Sequence, residues 1–242
     1  MAQKTGMGDR LRKCAIILLL LWLGWHVAQP VDLLRSDLGC HVKNGELILQ
    51  GKSDVLYKNY YSYTSPQYPC INTHWLFGVF CYIIWHHFGF TMLGFIYLII
   101  ELITFYIFFL SWQRYSSFIL AYAIALLSFP LIAPRCEIRP EGISYLCCSL
   151  FCLLIDSFQQ RKLKEYILLP VLGVLQIIWV NSHVFFVMGP ILTFLFWFQA
   201  KVNREEQTAR TLRNLFFLLI GACFINPSGI KGILVLLPMM QN

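Results

Sequence analysis

The residues best suited to acid–base chemistry stand in segments that separate long apolar runs. The first is Asp37, in the segment 35–41 (RSDLGCH) that follows the first apolar run. A carboxylate there could accept the proton of an attacking hydroxyl group or hold a divalent metal ion against a phosphate leaving group. An aspartate that caps a short helix is the structural alternative. Asp37 is therefore the candidate catalytic residue, and His41, four residues later, is a candidate substrate ligand.

A second charged segment, residues 133–142 (APRCEIRPEG), lies between two later apolar runs. Arginine side chains bind phosphate in a bidentate manner, so Arg135 and Arg139 are candidate phosphate ligands. Glu141 stands beside them as a third candidate for substrate binding. A loop held together by salt bridges explains the same pattern, and the residue types alone do not separate the two interpretations.

Two other positions combine polar chemistry with apolar surroundings. Asn181 and His183 occupy a short polar link, 179–183 (WVNSH), between two apolar runs. They are candidates for substrate binding, although a histidine at such a link often has only a structural hydrogen bond. Glu101 lies in the middle of the apolar run 90–112, where a charge is costly. It is either a functional group or a partner in a hydrogen bond to a neighbouring helix.

The composition excludes a soluble domain. Of the 242 residues, 58% are apolar and 13% are charged, whereas soluble domains are roughly 45–50% apolar and about 25% charged. Several apolar runs approach the roughly 20 residues that a membrane-spanning helix needs. The net charge of +7 comes from short basic clusters at the ends of these runs, which is typical of membrane topology rather than of nucleic-acid binding. The sequence predicts an all-α polytopic membrane protein.

The apolar runs and the basic residues together predict a topology of about seven to eight transmembrane helices. The segment Trp75–Trp85 is too short to span and is predicted to lie at the outer interface, since this choice places most of the 19 lysines and arginines in the cytoplasm. The predicted parts are a cytoplasmic tail (1–13), a first span (14–29), an outer loop with the interfacial helix (30–89) and a helix bundle (90–242). Further spans are predicted near 90–112, 117–132, 143–158, 166–181, 183–199 and 214–226, with another beginning near 232.

This order of elements resembles the GT-C class of membrane glycosyltransferases, which use sugars linked to polyprenyl or dolichyl phosphate. The segments 36–41 (SDLGCH), 44–46 (NGE), 61–64 (YSYT) and 72–76 (NTHWL) are similar to markers of a bacterial branch of that class. Segments 138–141 (IRPE) and 179–183 (WVNSH) resemble its later markers. The class includes protein O-mannosyltransferases and lipid A aminoarabinose transferases. Where the branch often has glutamate before Trp-Leu, this chain has His74.

The resemblance implies inverting transfer of a sugar from a polyprenyl-phosphate donor to a hydroxyl group of a glycan, lipid or protein acceptor. It assigns to Asp37 the role of general base or of a carboxylate that positions the acceptor, and it assigns binding of the lipid phosphate to Arg135 and Arg139. It leaves open a divalent metal ion and implies no other cofactor and no nucleic-acid partner. It also implies a bacterial inner membrane, with a cytoplasmic N-terminus and a periplasmic active face. Because such enzymes usually continue for several more spans, it predicts a chain truncated at its C-terminus.

Two other functions remain open from the residues. A non-catalytic or degenerate scaffold that binds lipid or a partner would share the same helices without the activity. A transporter or flippase would explain Glu101, although no inverted repeat is visible. The pairing of Cys40 with Cys70, which lie in the same predicted outer loop, is also open.

Overall fold

The computed structural model describes residues 7–28, 37–65, 70–132 and 137–234. Within these ranges the chain is helical and contains no β-strand, which confirms the all-α class. The α-helices are α1 (Met7–Val27), α2 (Leu38–Leu49), α3 (Trp75–Tyr115), α4 (Phe118–Ile132), α5 (Glu141–Gln159), α6 (Glu165–Ser182), α7 (Met188–Val202), α8 (Glu206–Ala222) and α9 (Ile230–Leu234). Short 3₁₀ helices at Ser53–Leu56 and Val184–Val187 connect α2 to its following loop and α6 to α7.

Four helical segments of the described chain are long and apolar enough to cross a membrane. They are α3, α5, α6 and the continuous segment Val184–Val202, which joins the second 3₁₀ helix to α7. The apolar part of α4, Phe118–Ser128, is shorter. The chain is therefore a membrane protein by the length and composition of its helices.

The long helix α3 is kinked at Gly89, whose backbone angles are φ 77° and ψ 177°. Glycine adopts a positive φ without the steric cost that other residues incur. The kink lies in the segment 86–89, where the sequence predicts a break between an interfacial helix and a span. The helix accordingly divides into a first part, 75–88, and a second part, 90–115.

Three groups of buried apolar side chains hold the helices together. The largest joins the four helices α5, α6, α7 and α8 around Phe151, Leu172 and Trp179. A second joins α1, α3 and α4 around Leu23 and Phe109. The third packs α2 against both parts of α3 and the segment before α5, through Leu38, Val42, Phe77, Cys81, Leu93, Tyr97 and Ile138. This third group forms the floor of the candidate site.

The turns after α5 and α7 have the same unusual backbone. Arg161 and Arg204 both have φ of 59°, in the left-handed region that follows many helices and is usually occupied by glycine. After α5, the N–H of Lys162 donates to Ser157 O at 2.9 Å. After α7, the N–H of Glu205 donates to Ala200 O at 2.9 Å. Each turn thus closes its helix with an arginine where glycine would be less strained.

Replacing Arg161 or Arg204 with glycine is expected to stabilise the protein by about 0.5 kcal/mol per site. The left-handed conformation costs a non-glycine residue roughly 1–2 kcal/mol, and the greater entropy of glycine in the unfolded chain offsets roughly 0.5–1 kcal/mol of that gain. Thermal unfolding of the protein in lipid nanodiscs measures the effect. The matched control is Arg210→Gly inside α8, where glycine should instead destabilise by about 1 kcal/mol. Equal losses at all three positions would contradict this explanation.

Candidate functional site

The site begins where the backbones of α2 and α3 touch. A Cβ atom added to Gly45 would overlap the carbonyl group of Gly78, and one added to Gly78 would lie 2.6 Å from the carbonyl oxygen of His41. Glycine at both positions is therefore required for this close approach. The contact places the ring of His41 5.7 Å from that of His74 and 5.2 Å from that of Phe77, measured between ring centroids.

The end of α6 adds a third histidine to this pair. His183 follows α6 with an extended backbone (φ −159°, ψ 147°), and its ring centroid lies 5.3 Å from that of His74. The same helix end is tied to the start of α3, because Trp75 Nε1 donates to Asn181 Oδ1 at 2.8 Å. Asn181 also donates to the carbonyl oxygen of Ile225 at 2.9 Å. We call His41, His74 and His183 the histidine cluster.

Two carboxylates supply negative charge to the histidine cluster. Asp37 stands at the N-cap position of α2, yet its side chain makes no capping hydrogen bond, so the structural alternative from the sequence does not explain it. Burial lowers the pKa of His41, and the negative charge of Asp37 opposes this effect. Burial raises the pKa of Cys40, and the charge of Asp37 raises it further. Glu141, at the first position of α5, acts by its charge on His41 and His183.

Burial keeps the histidine cluster neutral. It lowers the pKa of His74 to about 3, with help from the neighbouring His183 and His41. It lowers the pKa of His183 to about 4, against the opposing charge of Glu141, and it also lowers the pKa of His41. At neutral pH each ring therefore carries one N–H donor and one acceptor nitrogen, and the site offers hydrogen bonds without positive charge from these residues.

The protein is expected to lose stability as the pH falls from about 6.5 towards about 4. Unfolded histidine has a pKa of about 6.5, so in this range the unfolded chain binds protons that the folded histidine cluster does not, and protonation favours unfolding. His74→Gln should make this loss shallower. Thermal unfolding in nanodiscs across the pH range measures it, with His87→Gln, which replaces an exposed ring, as the control. A loss as steep in His74→Gln as in the native protein would contradict the assignment.

Glu101 reaches the same end of α5. It is 8% exposed, and a Cβ atom on Gly142 would lie 2.6 Å from its Oε1 and overlap the hydroxyl of Tyr97. Tyr97 in turn donates to the carbonyl oxygen of Arg139 at 2.8 Å. The intramembrane candidate therefore lies beside the segment that carries Arg139 and Glu141, rather than in a separate part of the molecule.

Arg139 makes the salt bridge that the sequence left as an alternative. Its Nη2 lies 2.6 Å from Glu137 Oε2, and its Nε donates to the same oxygen at 2.8 Å. The guanidinium is thus held at the start of α5, close in sequence to Glu141. The other predicted phosphate ligand, Arg135, lies outside the described residues.

The structure brings together most of the residues singled out from the sequence. Asp37, His41, Glu141, Asn181 and His183 all lie at the meeting point of α2, α3, α5 and α6. Sequence analysis noted His74 only as a departure from the family pattern, and it missed Ser144, whose Oγ lies 2.7 Å from His183 Nδ1. The signal for Ser144 was weak, because a serine within an apolar run is an ordinary core residue.

The described residues do not form a ready metal site. Among them, no group of three or more histidine, cysteine, aspartate or glutamate side chains is arranged to hold a metal ion. The thiols of Cys40 and Cys70 are both free and exposed, so these two cysteines are not paired in this structure.

Comparison with known proteins leaves the site to be interpreted from its own geometry. No protein-family model, curated protein or solved structure matches the chain.

Proposed function

We propose that the chain is a membrane glycosyltransferase that transfers a sugar from a polyprenyl-phosphate donor to a hydroxyl group of an acceptor. The observation that carries the proposal is the convergence of His41, His74, Glu141 and His183 beside Asp37. Each of the four segments that supply them is one that resembles a marker of the GT-C class. Residues distant in sequence that meet at one end of a membrane protein are typical of a substrate site.

The chemistry of the proposal requires one base and one cationic group. Asp37 would accept the proton of the acceptor hydroxyl while the hydroxyl oxygen attacks the anomeric carbon of the sugar. The bond from that carbon to the phosphate oxygen breaks, and both of its electrons leave with the lipid phosphate. Attack from the opposite face inverts the anomeric configuration. The phosphate is already a good leaving group, so Arg139, together with Arg135, would stabilise its charge without a second acid.

An apolar cavity on the segment that follows His183 fits the lipid part of such a donor. It has a volume of about 520 Å³ and lies between α7, α8 and the 3₁₀ helix that follows His183, with Phe186, Pro190, Phe194, Phe216 and Ile220 among its lining residues. Phe186 stands three residues after His183 in the chain. A polyprenyl tail in this cavity would keep its phosphate near His183.

The outer loop supports the proposal through a second contact between segments of the family pattern. The hydroxyl of Tyr61 donates to Asn44 Oδ1 at 2.6 Å, which joins the segments 61–64 and 44–46. This contact holds the loop after α2 against α2 itself.

The membrane arrangement that goes with this function has about seven to eight spans. The segment Val184–Val202 and helices α3, α5 and α6 meet the length and composition of spans, and α1, α4, α8 and the region from α9 onward would complete them. The first part of α3, before Gly89, would lie at the outer interface. The N-terminus would then be cytoplasmic and the site would face the periplasm of a bacterial inner membrane.

Sugar transfer in membranes tests the proposal directly. Membranes containing the native chain should transfer label from a pool of radiolabelled polyprenyl-phosphate sugars, and Asp37→Asn should abolish transfer because an amide cannot accept the proton. The control is Asp54→Asn, the same exchange in the same loop, at a carboxylate bonded to Tyr60 and Lys58. It should leave transfer unchanged. All three proteins must reach the membrane in equal amounts.

Two outcomes would overturn the proposal. Full transfer by Asp37→Asn would show that Asp37 is not the base. Absence of transfer by the native chain would show that the chain is not a glycosyltransferase of this kind. The second outcome would favour a scaffold that binds lipid or a partner through the same helices, or a transporter in which Glu101 carries the function.

A further inference from the structure

The hydroxyl group of Ser144 connects a tryptophan to the histidine cluster. Trp179 Nε1 donates to Ser144 Oγ at 2.7 Å, and Ser144 Oγ lies 2.7 Å from His183 Nδ1. All three residues are buried, with 0%, 2% and 4% of their surfaces exposed for Trp179, Ser144 and His183. An indole N–H is only a donor, so Ser144 Oγ accepts this bond. The direction in which the Ser144 hydroxyl hydrogen points then decides which ring nitrogen of His183 carries the proton.

The hydrogen of Ser144 has one acceptor among the described residues, and that acceptor is His183 Nδ1. Other serines in the helices donate to their own helix backbone, as Ser157 does to the carbonyl oxygen of Leu153 at 2.6 Å. If His183 Nδ1 carried the proton instead, the Ser144 hydrogen would be buried without a partner, which is unfavourable. The neutral ring therefore holds its proton on Nε2, and Nδ1 accepts from Ser144.

Glu141 lies on the same side of α5 as Ser144, because the two are three residues apart in one helix. Its charge reaches His183 and His41. Its Oε2 atom is buried and has no hydrogen-bond partner within the described part of the chain. Glu141 Oε2 is thus a buried acceptor without a partner among the described residues, and its charge acts on an imidazole that offers an N–H donor. A ligand that donates to the first and accepts from the second would complete both groups.

We propose that Glu141 and His183 together bind one hydroxyl group of an uncharged sugar, and that Ser144 and Trp179 are positioning residues that orient His183 for this contact. A hydroxyl group donates one hydrogen bond and accepts others, so it can donate to Glu141 Oε2 and accept from His183 Nε2. The inference rests on the proposed function, because that function supplies the sugar.

The charges around the pair select the class of sugar. The groups that face His183 are His74 from the start of α3, His41 from α2, Glu141 from α5 and the ring of Phe185. The histidines are neutral, and Glu141 and the nearby Asp37 are carboxylates. An acidic sugar would bring a second negative charge close to these carboxylates, which is unfavourable in a buried site. Neutral sugars are therefore favoured over uronic acids.

The tautomer of His183 is measured by ¹⁵N NMR of the whole chain, labelled at histidine, in lipid nanodiscs. The signals are assigned by their loss in His183→Asn. We expect Nδ1 at the chemical shift of an unprotonated nitrogen and Nε2 at that of a protonated one. Ser144→Ala should move both towards averaged values, and Ser144→Thr, which keeps the hydroxyl, should restore them. The control is Ser149→Ala, which removes a buried hydroxyl bonded only to the carbonyl oxygen of Leu146.

Binding is measured with polyprenyl-phosphate-linked glucose and with the corresponding glucuronate as probes. The glucose probe should shift the His183 Nε2 signal, and Glu141→Leu should weaken its binding roughly tenfold, since one hydrogen bond to a charged group is lost. The glucuronate probe should bind more weakly than the glucose probe. A protonated Nδ1 in the native protein, or equal binding of the two probes, would overturn the inference. Neither readout requires transfer, so its failure is distinct from failure of the proposed function.

Discussion

Replacing Asp156 with alanine is expected to destabilise the protein by about 3 kcal/mol. Asp156 lies near the end of α5 and accepts hydrogen bonds from Arg114 and Tyr115 at the end of α3. It also accepts two hydrogen bonds of 3.0 Å from Gln160. Removing the carboxylate leaves the guanidinium and the phenol without their shared partner, and the ends of α3 and α5 lose their direct link. Thermal unfolding in nanodiscs measures the loss.

Two control variants show whether the effect belongs to this partly buried pair. Asp156→Asn keeps the acceptor oxygen and the shape, and should cost less than the alanine exchange. Glu206→Ala breaks the Lys201 pair at 3.1 Å, in which the two side chains are 50% and 76% exposed, and should change stability by no more than roughly 1 kcal/mol. Equal effects of Asp156→Ala and Glu206→Ala would contradict a structural role for the α3–α5 link.

Replacing Gly78 with alanine is expected to displace α2 and, with it, to abolish the sugar transfer that we propose. The added Cβ atom would lie 2.6 Å from the carbonyl oxygen of His41, and backbone atoms cannot move aside as a flexible side chain does. Overpacking of this kind costs roughly 1–3 kcal/mol. The displacement would move Asp37 and His41 away from His74. Transfer should therefore be lost even in protein that remains folded. Thermal unfolding and the transfer assay measure the two effects in the same membranes.

Helix α2 contains its own control for this prediction. Gly39 has no atom within 4 Å of an added Cβ, so Gly39→Ala should leave transfer unchanged and, within a helix, should if anything raise stability. Gly45→Ala should behave like Gly78→Ala, because its added Cβ atom would overlap the carbonyl group of Gly78 and force the same two helices apart. Normal transfer by both Gly45→Ala and Gly78→Ala would show that the histidine cluster does not depend on the close approach of α2 and α3.

The positions of most long helices could be predicted because they depend on local properties of the chain, whereas α2 was not predicted and α8 begins at Glu206, before the predicted span near 214–226. Apolar runs of sufficient length form helices in a membrane, where each backbone N–H and C=O must find its partner within the helix. Gly89 breaks α3 within the predicted segment 86–89 because its conformation is local. The start of α5 at Glu141, after Pro140, follows from the same kind of signal.

The members of the candidate site could be predicted only in part. Asp37, His41, Glu141 and His183 were recognisable because polar residues between apolar runs are few. His74 entered only as an exception to a family pattern. The pair of Arg114 and Asp156 gave no sign in the sequence, because each residue alone resembles a charge at the end of a span.

By itself, the sequence determined the all-α class, the membrane environment and most of the long apolar helices, because these follow from hydropathy and from backbone preferences over short distances. Only the tertiary structure decided which polar residues meet. The contact of Gly45 with Gly78 brings His41 to His74, and the packing of α5 against α6 brings Ser144 to Trp179 and His183. Burial then lowers the pKa of His74 and His183. These properties arise from desolvation and from hydrogen bonds between distant segments, and neither exists before the helices pack.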